Sequence, residues 1–166
     1  MHNRSVLMVS SLMLGTALVA QQQSERFLPV VVNVLSNGAA AEQFTVTLYK
    51  DNEEVTQLLP TAHSAFELAL DLESYYSIRI SKAGFRDKLV FVDSHLPEGV
   101  RRYADYVCEV HLEPLDRFSH SDHFYLDFPS AVVRWDDTKQ SYDHSDQYLA
   151  DIQGKVALLS LQAETF

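Results

Sequence analysis

The sequence predicts an all-β fold in which seven antiparallel strands form a two-sheet sandwich, followed by a small mixed C-terminal extension. Apolar residues recur at period two from Phe27 to Glu113, and turn-forming clusters cut this stretch into short segments. No helical period competes with them. Strands that alternate apolar with polar residues have one dry and one wet face, the pattern expected of antiparallel sheets.

The first segment, residues 28–35 (LPVVVNVL), is β-branched and stops at Ser36-Asn37-Gly38, where Asn and Gly tolerate left-handed backbone. In residues 44–49, Phe44, Val46 and Leu48 share one face and Thr45, Thr47 and Tyr49 the other. A polar turn, 50–54, leads to a short strand at 55–59 that Pro60 ends. Phe66, Leu68 and Leu70 then alternate with Glu67, Ala69 and Asp71, and Tyr76, Ile78 and Ile80 with Ser77, Arg79 and Ser81. Ala83-Gly84 turns the chain into a sixth strand, 85–93. In the seventh, Ala104, Tyr106, Cys108, Val110 and Leu112 face inward, opposite Tyr103, Asp105, Val107, Glu109 and His111. A one-residue slip would turn the acidic face into the core, so register is well specified.

After Pro114 the texture changes. Residues 115–122 (LDRFSHSD) read as a polar linker, 125–128 and 131–135 as short β-type runs around Pro129, and 136–141 as a charged turn. Asp143 or Ser145 is placed to cap a short helix carrying Tyr148, Leu149 and Ile152 on one side and weakened at Gly154. Residues 156–161 (VALLSL) fit either a further strand or the helix's end.

At the N-terminus, a basic start (1–4) precedes an apolar, uncharged run (5–20) that ends in small residues, and Gln21-Gln22-Gln23 turns polar. This is the order of a secretory signal peptide cleaved after Ala20. The run falls short of the roughly 20 apolar residues of a spanning helix. The expected organisation is a signal peptide at 1–20, a sandwich at 27–113 and an extension at 114–166. The mature chain is expected to be periplasmic or extracellular, with outer-membrane association open, and without membrane insertion.

Lys and Arg number 13 against 23 Asp and Glu, a formal net charge of −10. An acidic chain repels phosphate backbones, so no nucleic-acid partner is expected. Cys108 is the one cysteine, which excludes an intramolecular disulfide and leaves stability to packing. Its place between Tyr106 and Val110 on the inward face predicts a structural thiol rather than a nucleophile.

The stretch from Phe27 to Asp93 resembles the carboxypeptidase-regulatory-like or transthyretin-like domains of secreted bacterial envelope proteins, which are small immunoglobulin-like sandwiches. The residues that carry the resemblance are VVVNVL, FTVTLYKDNEEV, 61–68 (TAHSAFEL) and 75–85 (YYSIRISKAGF). Ala65 stands where the family usually has a turn Gly, and Leu68 where a second aromatic is common. The paired cysteines of true immunoglobulin domains are absent, and the only Trp lies beyond the sandwich. The resemblance implies a scaffold or binding unit and no catalytic residues.

The strongest metal candidate is His120-Ser121-Asp122-His123, with His111 as a third donor from the last strand. Zinc needs three or four converging ligands, and two His three apart converge only on a helical turn. A solvated linker explains the same residues. The acids around 136–146 lack the spacing and the Gly of a calcium loop. Tyr49, Tyr75, Tyr103 and Trp135 form a candidate aromatic binding surface for a glycan or protein; the competing explanation is that Trp135 and Tyr148 dock the extension. No nucleophile elbow, phosphate loop or zinc-protease motif occurs. The expected function is a non-enzymatic interaction module binding another envelope component without a cofactor. The alternatives are a carbohydrate-binding accessory module and a metal-dependent enzyme around His120 and His123.

Overall fold

A computed structural model describes residues 26–59, 64–118 and 128–163. The candidate signal peptide, residues 61–63, the candidates His120, Asp122 and His123, and residues 125–127 lie outside the described residues.

Two sheets face each other across one apolar core. The first contains β1 (Phe27–Ser36), β2 (Ala39–Ala40), β5 (Ala65–Asp71) and β8 (Tyr106–Leu112). The second runs in the order β10 (Ser141–His144), β9 (Ala131–Asp136), β7 (Lys88–Asp93), β6 (Tyr75–Ser81), β3 (Thr45–Lys50) and β4 (Glu53–Leu58). A 3-10 turn, Leu115–Phe118, and one helix, α1 (Asp146–Ala163), complete the described elements.

The sandwich is therefore mostly β, but among the described residues it has ten strands rather than seven, and its sheets are mixed. β1 pairs with β8 in parallel, Val30 opposite Tyr106 through Ser36 opposite Leu112. β7 pairs with β9 in parallel, Val90 opposite Ala131. The remaining pairs are antiparallel. Period two reports which face is wet and carries no information about the direction of the neighbouring strand. β2 is too short to show a period, and β10 (SYDH) buries only Tyr142.

Turn chemistry fixes the hairpins. Asn37 and Gly38 both have positive φ, 53° and 75°, between Ser36 and its partner Ala39. Asp51 and Asn52 repeat the pattern, at 49° and 69°, between Lys50 and Glu53. Two-residue loops with both residues left-handed match the strand twist. The core takes Leu28, Val30, Val32 and Val34 from β1 and meets them with Val46, Ile78, Ile80, Val90, Val92 and Val133 from the second sheet.

The predicted linker differs from expectation, while the helix starts where expected and takes residues 156–161 as its end. Residues 115–118 form the 3-10 turn, and Phe118 is completely buried. It packs with Ile152, Val156 and Leu159, the i, i+4, i+7 stripe of α1. Residues 156–161 are helical, and α1 runs through Gly154, which is exposed with open space around it. A mid-helix Gly costs only about 1 kcal/mol, less than burial of the stripe gains. The Tyr148 amide donates to Ser145 Oγ at 3.3 Å, so Ser145 caps the helix.

Candidate functional site

Among the described residues β8 pairs with β1 alone, so it forms one edge of the first sheet. α1 lies along this side of the sandwich and packs mainly on the 3-10 turn and β9, so a gap separates it from β8. The gap is a cleft of about 550 Å³. Its walls are β8 from Tyr106 to His111, the β7 residues Lys88 and Val90, the start of β9, and the α1 residues Ile152, Gln153, Val156 and Ala157.

One end of the cleft is charged. A bridge between Phe85 and Pro114 brings the approach to β7 beside the end of β8, and the Arg86 amide donates to the Glu113 carbonyl at 2.8 Å. Glu113 Oε2 accepts from Lys88 Nζ at 2.5 Å and from Arg86 Nη1 at 3.3 Å. Both cationic side chains are largely enclosed, at 13% and 5% exposure. Burial holds the Lys88 ammonium below its ordinary value, and the shared carboxylate works the other way. Arg117 adds an exposed cation at the same wall.

The other end carries Tyr106, Cys108 and His144. The Tyr106 hydroxyl lies 3.5 Å from His144 Nδ1. Burial raises the Tyr106 phenol well above its ordinary range. Burial also pushes the Cys108 thiol up to about 11, while the neighbouring Tyr106 hydroxyl lowers it. A thiol held in its protonated form is a poor nucleophile at neutral pH. The cleft thus combines apolar walls, a strand edge that no further described strand covers and a charged end, an arrangement suited to binding.

The four candidate aromatics fall into two separate groups. Tyr103 and Trp135 both pack edge-on against Tyr142, with centroids at 5.9 and 5.6 Å. The Tyr103 hydroxyl donates to the Phe27 carbonyl at 2.9 Å, and Trp135 Nε1 to Asp137 at 2.9 Å. These two tie the C-terminal strands to the sandwich. Tyr75 stacks on Phe91 at 5.9 Å and lies 4.8 Å from His95. It borders a hollow of about 340 Å³ with Asp51, Asn52 and Ser77, and Tyr49 stands opposite Ser77 in the same sheet. His111 is exposed on β8 and holds Glu109 at 2.7 Å. Among the described residues no three His, Cys, Asp or Glu side chains gather as a metal-ligand set.

Sequence reasoning missed Arg86, Lys88 and Glu113 as a group, and it missed the α1 wall. Glu113 lies far along the chain from the two cations, and only the Phe85–Pro114 bridge makes them neighbours.

No protein-family model matches the sequence, and no curated protein matches it. Among solved structures, the fold is similar to catechol 1,2-dioxygenase from Acinetobacter sp. ADP1 inhibited by bound mercury, with a TM-score of 0.40 and 9% identity. That match covers 58% of this chain and 55% of the other, so it spans about half the length of each.

Proposed function

We propose that this chain is an exported, non-enzymatic interaction module of the carboxypeptidase-regulatory-like or transthyretin-like, immunoglobulin-like kind, which binds another cell-envelope protein through the cleft beside β8. The observation that carries this reading is the cleft itself, about 550 Å³ and bounded on one side by a strand edge that no described strand covers. The raised thiol of Cys108 favours binding over covalent catalysis. The net charge of −10 disfavours nucleic acid and anionic lipid as partners. Export follows from the order of residues 1–23, and the mass of the secreted form tests it: a chain beginning at Gln21 supports the signal peptide.

Site-specific photocrosslinking tests the binding surface. A crosslinker at Gln153, on the cleft wall, should give a discrete adduct with an envelope protein. The same group at Glu53, on the far β4 edge, should not. Adducts from neither position, or equal adducts from both, count against the module.

Carbohydrate binding is a second reading, favoured by the 48% exposure of Tyr75 where it stacks on Phe91 above the Asp51–Asn52 hollow. Sugars bind such aromatic faces edged with polar groups. Glycan-array binding that disappears in Tyr75→Ala would support it, and an empty array would remove it.

A further inference from the structure

We propose that the occupant of the cleft is an extended segment of a partner protein, alternating basic and apolar residues, that adds as a strand to the open edge of β8. This rests on the interaction-module reading and specifies its ligand. In a parallel ladder, alternate residues of a strand turn their N–H and C=O groups away from the neighbour. On β8 these groups face the gap in front of α1, where among the described residues no strand pairs with them. Proteins ordinarily blunt or cover such edges, and an edge left open in a cleft is the setting in which extended peptides add to a sheet.

The chemistry of the incoming strand follows from the two faces it would join. Its inward side chains would meet Val110, Val90, Ile152 and Val156, and so should be apolar. Its outward side chains would continue the solvent face of the first sheet. On that face Glu109 is the acidic side chain of β8, held by His111 at 2.7 Å, and the strands β1, β2, β5 and β8 contain no Lys or Arg. Basic residues complete such a face, because opposite charges across a strand pair attract. Lys88, Arg86 and Arg117 at the inner end repel a cation pointing inward, which fixes the phase of the alternation.

The test uses short fluorescent peptides of alternating Lys and Val, read by polarisation against the protein. One analogue is N-methylated at every Lys and the other at every Val. In a strand these two sets of amides lie on opposite edges, so one analogue should lose binding by about tenfold or more and the other should keep it. Gln153→Trp, which fills the gap from an exposed helix position, should weaken the parent peptide by about tenfold while leaving the circular dichroism unchanged. Glu109→Lys should weaken it as well. Equal binding of both methylated peptides, or no effect of Gln153→Trp, overturns strand addition but leaves the crosslinking result of the interaction module standing. Dimerisation of the free protein that blocks the peptide would make a second copy the occupant and would also overturn it.

Discussion

The hydroxyl of Tyr142 donates to the main-chain carbonyl of Ser94 at 2.7 Å, joining β10 to the end of β7. Ser94 is itself fully buried, and its Oγ accepts the Ser74 amide at 3.0 Å and reaches the Asp71 carbonyl at 2.8 Å. One phenol thus fastens the C-terminal hairpin to the junction of three earlier segments. Burial raises this phenol above its ordinary range, so it stays a donor through the neutral range. Tyr142→Phe keeps the ring against Tyr103 and Trp135 but leaves the Ser94 carbonyl with only the longer bond from the Glu73 amide, at 3.3 Å. The expected cost is about 1–2 kcal/mol in denaturant unfolding, with an unchanged circular-dichroism spectrum.

Phe118 anchors α1. Its ring is completely buried among Ile152, Val156 and Leu159, and Arg86 lies over it at 6.0 Å. Phe118→Ala should cost about 3–5 kcal/mol, the range for deleting a buried aromatic. Amides of α1 should then exchange faster while those of β1 and β6 stay protected, because the sandwich core is a separate cluster. Uniform loss of protection across all of these elements would contradict that division.

Glu113 serves two cations at once. Glu113→Gln keeps the shape but removes the charge that Lys88 and Arg86 share, and should destabilise by about 3 kcal/mol. Adding Lys88→Met to that variant should recover much of the loss, since the unmatched buried ammonium is then gone. Strict additivity of the two substitutions in a double-mutant cycle would show that the pair is not coupled.

Cys108 sets an alkaline limit. Its thiol titrates at about 11 in the folded chain against an ordinary 9.0. Between those values the folded form holds more protons than the unfolded one. The stabilisation is therefore complete below pH 9 and is lost as the pH rises through 11, by about 3 kcal/mol. Stability of the native chain should fall more steeply over this window than that of Cys108→Ala. Parallel curves would assign the alkaline loss to other groups. Slow labelling of the native thiol near neutral pH, with fast labelling after denaturation, checks the same burial independently.

The alternation of β3, β5 and β6, and the turns at Asn37-Gly38 and within residues 50–54, were legible in the sequence because they depend on neighbours within a few residues. A strand with one wet face must alternate, and a two-residue hairpin must place Asn, Asp or Gly at positive φ. The placement of Cys108 between Tyr106 and Val110 on the inward face of β8 was legible for the same reason. Strand direction was not: Val30 and Tyr106 pair in parallel because β8 returns beside β1 after the whole second sheet has begun, and the local pattern is blind to that path. Phe118 read as part of a polar linker because its partners lie on α1, far along the chain. The four exposed-looking aromatics read as one surface, yet Tyr103 and Trp135 close on Tyr142 while Tyr75 closes on Phe91. The cleft arises from the distance between β8 and α1, and tertiary packing alone sets that distance. Sequence patterning determined which side chains are dry, and the packing of distant segments decided which strand edge was left open and what faces it.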